Sequence, residues 1–337
     1  MPRMRADLLL MAVSIIWGTA FIAQKHANGT MGPISFVGAR FLVSWMALAP
    51  LAFYEHSKKA QPRLRKQDVA LAGVIGLCLF VGSALQQAGL VTTTATNGGF
   101  LTALYVIFVP FIVWMVTGAK PRPVVLAAIA VSVAGAWLLT EHGHFQGLNG
   151  GDALVLVADI AWAAGISLVP IFLMRADRPF FLAFAQYGVA TLLGLLVGLS
   201  FEPVSQEGLA VALPAILYAG LCSGGIAFTL QIVAQKYTPP AEAALIMSLE
   251  SVFAALSGAA LLSERLTGPA ILGCLLILLG VLMVEGGPTV KNIKLRSYLR
   301  KTGLGKRHGA MAPYEYASTR AQQGLPTSGS PSNPPTR

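Results

Sequence analysis

Charge is what this sequence lacks most. Only 11% of its 337 residues are Asp, Glu, Lys or Arg, where a soluble domain carries about 25%. Such a deficit excludes a disordered chain and argues strongly against a soluble enzyme. Cysteine is nearly absent too. Cys78, Cys222 and Cys274 each lie in an apolar run without a CxxC pair, so neither a disulfide framework nor a thiolate metal site is expected, and all three read as small buried apolar side chains. Catalytic and nucleotide motifs are missing as well: there is no GxSxG, no Walker P-loop and no GxGxxG. No cofactor is therefore expected, the chain does not read as an enzyme, and ATP-driven transport by this chain alone is excluded. His142 and His144 stand beside Glu141 without a further ligand at metal spacing, which leaves metal binding unsupported.

What is present is apolar length. Hydrophobic residues make up 55% of the chain, with a mean hydropathy of +0.67. A bilayer core about 30 Å thick needs ~20 helical residues to cross it. Stretches of that size recur at 6–24, 35–54, 68–89, 94–117, 123–140, 152–174, 179–200, 210–235, 240–262 and 268–286. Ten spans are expected, all helical, because backbone polar groups in lipid must be satisfied within each segment. Asp7 and Trp17 interrupt the first, and no small-residue cleavage site precedes Lys25, so it does not read as a signal peptide.

Orientation follows from the basic residues between spans. Arg3, Arg5, Lys58, Lys59, Arg63, Arg65, Lys66, Lys120, Arg122, Arg175, Arg178 and Lys236 fall on one side; only Lys25 and Arg265 fall on the other. Both termini are expected in the cytoplasm. The net charge of +10 is concentrated in residues 287–337, which hold nine of the 24 Lys and Arg and one of the 14 acids. That segment, with its GSPSNPPTR end, reads as a disordered basic tail. Membrane lipids are its expected partner and nucleic acid is not, since Tyr298 is the only aromatic in its basic stretch.

The chain repeats itself. An offset of 145 residues pairs Asp7 with Asp152, Trp17 with Trp162, Phe36 with Phe181, Leu85-Gln86 with Leu230-Gln231, Thr93 with Thr238, Leu104 with Leu249 and Gly135 with Gly280. The two repeats, 6–140 and 152–286, have five spans each, and an odd number forces the second to enter the membrane from the opposite face. The fold class predicted is an all-α membrane protein of ten transmembrane helices arranged as two inverted five-helix repeats. Inverted repeats are a device of secondary transporters, with the solute site near the midplane between them.

The stretch 245–284, LIMSLESVFAALSGAALLSERLTGPAILGCLLILLGVLMV, resembles the end of an EamA domain. The opening ADLLLMAVSIIWGTAFIAQK, with Trp17-Gly18 followed by Phe21, and the pair Arg40-Phe41 resemble the family too. The likeness spans about residues 6–286 and implies the drug/metabolite transporter superfamily, with ten helices around a central cavity lined mainly by spans 3, 4, 8 and 9. Ser263-Glu264 departs from the more frequent Gly-Glu, and the tail lies outside the resemblance.

Ionisable groups inside a bilayer cost at least about 2.5–3.5 kcal/mol, so each needs a reason. Glu250, near the middle of span 9, is either a proton- or substrate-binding carboxyl or a packing hydrogen bonder. Asp159 in span 6 offers the same alternatives, and its repeat mate is Ser14. Arg40 reads first as structural, snorkelling to the outer headgroups, with an ion pair to Asp159 as the alternative. Gln86 and Gln231, repeat mates, can hydrogen-bond a polar solute or a neighbouring helix. Trp17 and Trp162 either fill the core or line the cavity as substrate-binding candidates, core being the first reading; Tyr105, the mate of Glu250, is divided evenly between the two. Asn97 and Glu242 read as caps, and Glu264 with Arg265 as a boundary ion pair. Pro110, Pro170 and Pro214 are candidate hinge points.

The reading these residues support is a secondary transporter of a small organic solute in a bacterial inner membrane, with protons as the candidate coupling ion. The resemblance adds the solute class (amino acid, metabolite or drug) and the direction, export. Rivals are a flippase for lipid or lipid-linked sugar and an integral-membrane enzyme, the latter disfavoured by scattered acids. Oligomeric state is not legible in one chain.

Overall fold

The computed structural model describes residues 1–57, 64–141, 149–261 and 267–285. Glu264, Arg265, His142, His144 and the basic tail lie outside the described residues. Among the described residues all regular structure is helical: α1 (Arg3–Ala27), α2 (Pro33–Ser57), α3 (Lys66–Gly89), α4 (Ala95–Ala103), α5 (Tyr105–Thr117), α6 (Pro123–Glu141), α7 (Gly150–Ala176), α8 (Pro179–Phe201), α9 (Gln206–Leu217), α10 (Thr229–Gln235), α11 (Pro240–Met247), α12 (Glu250–Leu261) and α13 (Gly268–Glu285). A π-helical segment, Tyr218–Phe228, joins α9 to α10.

Eight helical runs are long and apolar enough to cross a membrane: α1, α2, α3, α4 with α5, α7, α8, α9 through α10, and α11 with α12. Two shorter apolar helices, Pro123–Leu138 and Gly268–Val284, accompany them. Outward faces are apolar as well: Leu192, Leu196 and Leu199 on α8 and Leu275, Leu278 and Leu282 on α13 are exposed. Water would not sustain so much exposed leucine, whereas lipid tails would.

The most extensive helix pairs are α2 with α8, α6 with α13 and α3 with α7, while α1 lies along α12 and the π segment. Glycine sets the closeness of the α2–α8 crossing. A Cβ on Gly194 would sit 2.7 Å from the Gly38 Cα, so the two backbones touch where neither has a side chain. Carboxylates then cap the ends of this pair reciprocally. Glu55, late in α2, accepts the Phe181 N–H at 2.8 Å and the Phe180 N–H at 3.4 Å at the start of α8. Glu202, just past α8, accepts Ile34 N–H at 3.0 Å and Ser35 N–H at 2.7 Å at the start of α2. Each acid meets orphan donors at the positive end of a helix dipole.

Three crossings are not regular α-helix. α4 yields to α5 at Leu104, and α11 yields to α12 at Ser248-Leu249. The second break frees carbonyls that hydroxyls take up: Ser248 Oγ donates to Leu245 O at 2.7 Å and Ser251 Oγ to Ser248 O at 2.8 Å. Ser14 Oγ of α1 lies 3.1 Å from Ile246 O and 3.3 Å from Met247 O. In the π segment, which follows Pro214, the splayed carbonyls also find side-chain donors. Ser44 Oγ bonds Gly220 O at 2.7 Å, Tyr187 Oη bonds Gly224 O at 2.8 Å and Trp17 Nε1 bonds Ser223 O at 3.3 Å. Irregular backbone is tolerated at membrane depth only when protein groups satisfy it in this way.

Candidate functional site

The breaks at Leu104 and at Ser248-Leu249 both open onto one cavity between the helices. Its walls divide by chemistry. Trp17, Phe21, Trp162 and Phe228 form an aromatic wall: the Phe228 ring centroid lies 4.7 Å from Trp17 and 5.7 Å from Trp162, the latter stacked at 17°. Arg40, Gln24, Gln86, Thr102, Ser223 and Gln231 supply hydrogen-bonding groups, and Glu250 supplies a carboxyl with Tyr105 beside it. Ile166 completes the lining.

Seven of the eight candidates named from sequence (Glu250, Gln86, Gln231, Tyr105, Trp17, Trp162 and Arg40) line this cavity. Asp159 is not among its lining residues. It is fully buried, neither carboxylate oxygen has a hydrogen-bond partner, and it lies within electrostatic reach of Glu250 and Tyr105. Tyr105 and Glu250 each open the second half of a broken helix, so the first-turn N–H groups of α5 and α12 leave the positive ends of two helix dipoles near the carboxyl. Gly18 of α1 permits the approach, since a Cβ there would lie 2.8 Å from the Glu250 carbonyl oxygen.

The amides are partly engaged. Gln86 Nε2 donates to Thr102 Oγ1 at 2.7 Å, and Gln231 Nε2 to Gln235 Oε1 at 3.3 Å.

Several expectations are corrected here. Trp17 and Trp162 are walls of a cavity rather than core filling, because Phe228 from the π segment packs between them and the remaining space stays open. Arg40 neither snorkels nor pairs with Asp159; it is 3% exposed and donates from Nη1 to Gln24 Oε1 at 2.9 Å. Glu242 lies in the first turn of α11, where an acid complements the helix dipole, and it does more than cap. It pairs with Arg3 at 2.6 Å and Arg122 at 3.1 Å, joining the start of α11 to α1 and α6. The cavity also draws on α1, α2 and α7, beyond the four spans the resemblance implied.

Sequence reasoning missed Phe21, Gln24, Thr102, Ile166, Ser223 and Phe228. For two of these the signal was available: Phe21 and Ile166 stand 145 apart, each four residues past a paired Trp, and so on the same helix face. Gln24, Thr102, Ser223 and Phe228 have unlike mates (Val169, Met247, Cys78 and Ser83) and gave none.

A helical architecture with apolar outer faces around a partly polar central cavity defines a multi-pass membrane protein of the transporter kind. The model of the EamA-like transporter family matches residues 4–141 and 149–285, and the chain belongs to that family. An uncharacterized transporter of Archaeoglobus fulgidus is 32% identical over 283 residues, covering 84% of this chain and 86% of the relative. The uncharacterized inner membrane transporter YedA of Escherichia coli K12 is 26% identical over 300 residues, covering 83% and 93%. A solved crystal structure superimposes with a TM-score of 0.64 at 19% identity over 83% of this chain and 96% of that one, a likeness of fold alone.

Proposed function

We propose that the chain is a secondary transporter that carries a small organic solute through the central cavity by alternating access, exporting it across a bacterial plasma membrane with both termini in the cytoplasm. The observation that carries this is the make-up of the cavity wall. Trp17/Trp162, Phe21/Ile166, Gln86/Gln231 and Tyr105/Glu250 are four pairs at the same offset of 145, and every member lines the cavity. A site built equally from both halves is what exchange of two repeat conformations around a fixed solute requires.

The finer architecture in this proposal is ten spans in two inverted five-span repeats, 6–140 and 152–286, followed by the tail 287–337. The helix pairing supports it. Spans 2 and 7 pack together, as do spans 5 and 10, and these are mates that a two-fold axis in the membrane plane brings together. The hydrogen bond from Thr93 Oγ1 to Asp152 Oδ1 and that from Thr238 Oγ1 to Asp7 Oδ1 are both 2.7 Å and are related by the same offset. α6 and α13, at 19 and 18 residues, reach about 27–29 Å at 1.5 Å per residue, close to the ~30 Å of a bilayer core.

Protons are the proposed coupling ion, with Glu250 the exchanging carboxyl and Tyr105 and Asp159 within its electrostatic reach. Alternation needs only that the surroundings of the carboxyl differ between the two cavity states. A solute screen with purified protein in proteoliposomes, run with and without a pH gradient, tests the proposal. Gradient-dependent flux of one solute class is expected, and absence of flux across a broad panel of small solutes overturns it.

A further inference from the structure

Arg40 enters the membrane two turns into α2 and faces the cavity. Its guanidinium carbon lies 4.9 Å from the Phe41 ring centroid and 5.8 Å from that of Phe36. Its only hydrogen bond among the described residues is the one from Nη1 to Gln24 Oε1, and Nε is buried without a partner. No ion pair among the described residues includes Arg40. Glu250 shares the cavity but forms no ion pair with it. A cation taken out of water is costly unless an opposite charge meets it, and one amide with two ring faces offsets only part of that cost.

Resting on the reading of the cavity as a solute site, we propose that the Nε–Nη2 edge of Arg40 is an anion-binding subsite and that the solute carries a carboxylate. The edge left open by the Gln24 bond is the planar two-donor fork that matches a carboxylate bidentately. A phosphate dianion fits less well, because Glu250 would face a second negative charge inside the same cavity. Trp17, Trp162 and Phe228 offer the rest of the solute an apolar, flat-faced surface. The class is therefore a small monocarboxylate with an apolar or aromatic body.

The test uses the purified full-length protein, its thermal unfolding in detergent, and two variants, Arg40→Gln and Arg40→Lys. Ligands are matched carboxylates and their primary amides (phenylacetate with phenylacetamide, benzoate with benzamide, hexanoate with hexanamide), alongside sodium chloride and sodium phosphate. Without ligand, Arg40→Gln should melt higher than the parent protein by about 2 °C or more, since an uncompensated buried charge is gone. Carboxylates should stabilise the parent protein more than their amides do. Arg40→Gln should lose that preference with at least about tenfold weaker binding, and Arg40→Lys, which keeps charge but not the fork, should fall between. A lower melting temperature for Arg40→Gln would assign the residue a structural role and overturn the proposal. So would equal stabilisation by chloride or phosphate, no carboxylate preference anywhere in the panel, or a preference that survives in Arg40→Gln. Flux separates this inference from the one it rests on. Carboxylates that bind but do not cross proteoliposomes end the transport reading and leave the subsite; a solute without an anionic group, moved equally by the parent and Arg40→Gln, does the reverse.

Discussion

Replacing Glu250 by Gln removes the one carboxyl that lines the cavity among the described residues while keeping its shape and a hydrogen-bonding group. If that carboxyl exchanges one proton per cycle, a gradient of one pH unit is worth ~1.4 kcal/mol per proton. With the membrane potential clamped to zero by potassium and valinomycin, so that the charge of the solute does not enter, the solute would then accumulate about tenfold at steady state. Were Asp159 to exchange a second proton with Glu250, the ceiling would rise to about a hundredfold, so the measured ratio counts the carboxyls taking part. Glu250→Gln should bring the ratio to unity at every gradient while leaving solute binding and solute-for-solute exchange measurable. Glu250→Ala should lose both, because the hydrogen-bonding group goes with the titration. The assay pairs equilibrium binding with gradient-driven flux in proteoliposomes for each variant. Gradient-driven accumulation by Glu250→Gln at the parental level would refute the reasoning and return Glu250 to packing.

Three further outcomes are expected. Gly194→Val should force apart the backbones of α2 and α8 at a cost of about 1–3 kcal/mol, lowering the melting temperature in detergent by at least ~3 °C; an unchanged value would mean that the crossing is not tightly packed. Reporter fusions after Lys58, Arg122 and Arg178 should read cytoplasmic and one after His144 external, and a cytoplasmic reading at His144 would end the inverted-repeat proposal. Truncation after Leu304 should leave the transport rate unchanged, and complete loss of uptake by a normally inserted truncation would show that the tail belongs to the working machinery.

The helical, multi-pass character of this protein was legible in the sequence because lipid leaves the backbone few choices: a long uncharged run must satisfy its own amides. Family membership was legible because Trp17-Gly18, Arg40-Phe41 and the run around Glu250 are contiguous or nearly so. Much of the cavity could be named because a duplicated chain marks shared positions twice, so that rare residues at a fixed offset stand out from leucine. Partnerships were not legible. Whether Trp17 fills a core or walls a cavity depends on where Phe228 sits, 211 residues further along, and a hydropathy profile holds no such distance. Arg40 shows the same limit: depth in the membrane suggested Asp159 as its partner, but the rotation of α2 against α1 brings Gln24 to it instead.

By itself, then, the sequence determined a membrane-embedded helical chain that repeats at a fixed offset, through composition, apolar run length and duplication, and its resemblance to the EamA family added the transporter class; all of these are properties of the chain read in order. Only the tertiary structure decided that α4–α5 and α11–α12 break beside Tyr105 and Glu250, that a π segment presents Phe228 between two tryptophans, and that Arg40 faces the cavity without an ion pair among the described residues. Those features depend on which carbonyls find hydroxyls across a helix interface and on how close glycine lets two backbones come, and such contacts exist only once distant segments are packed.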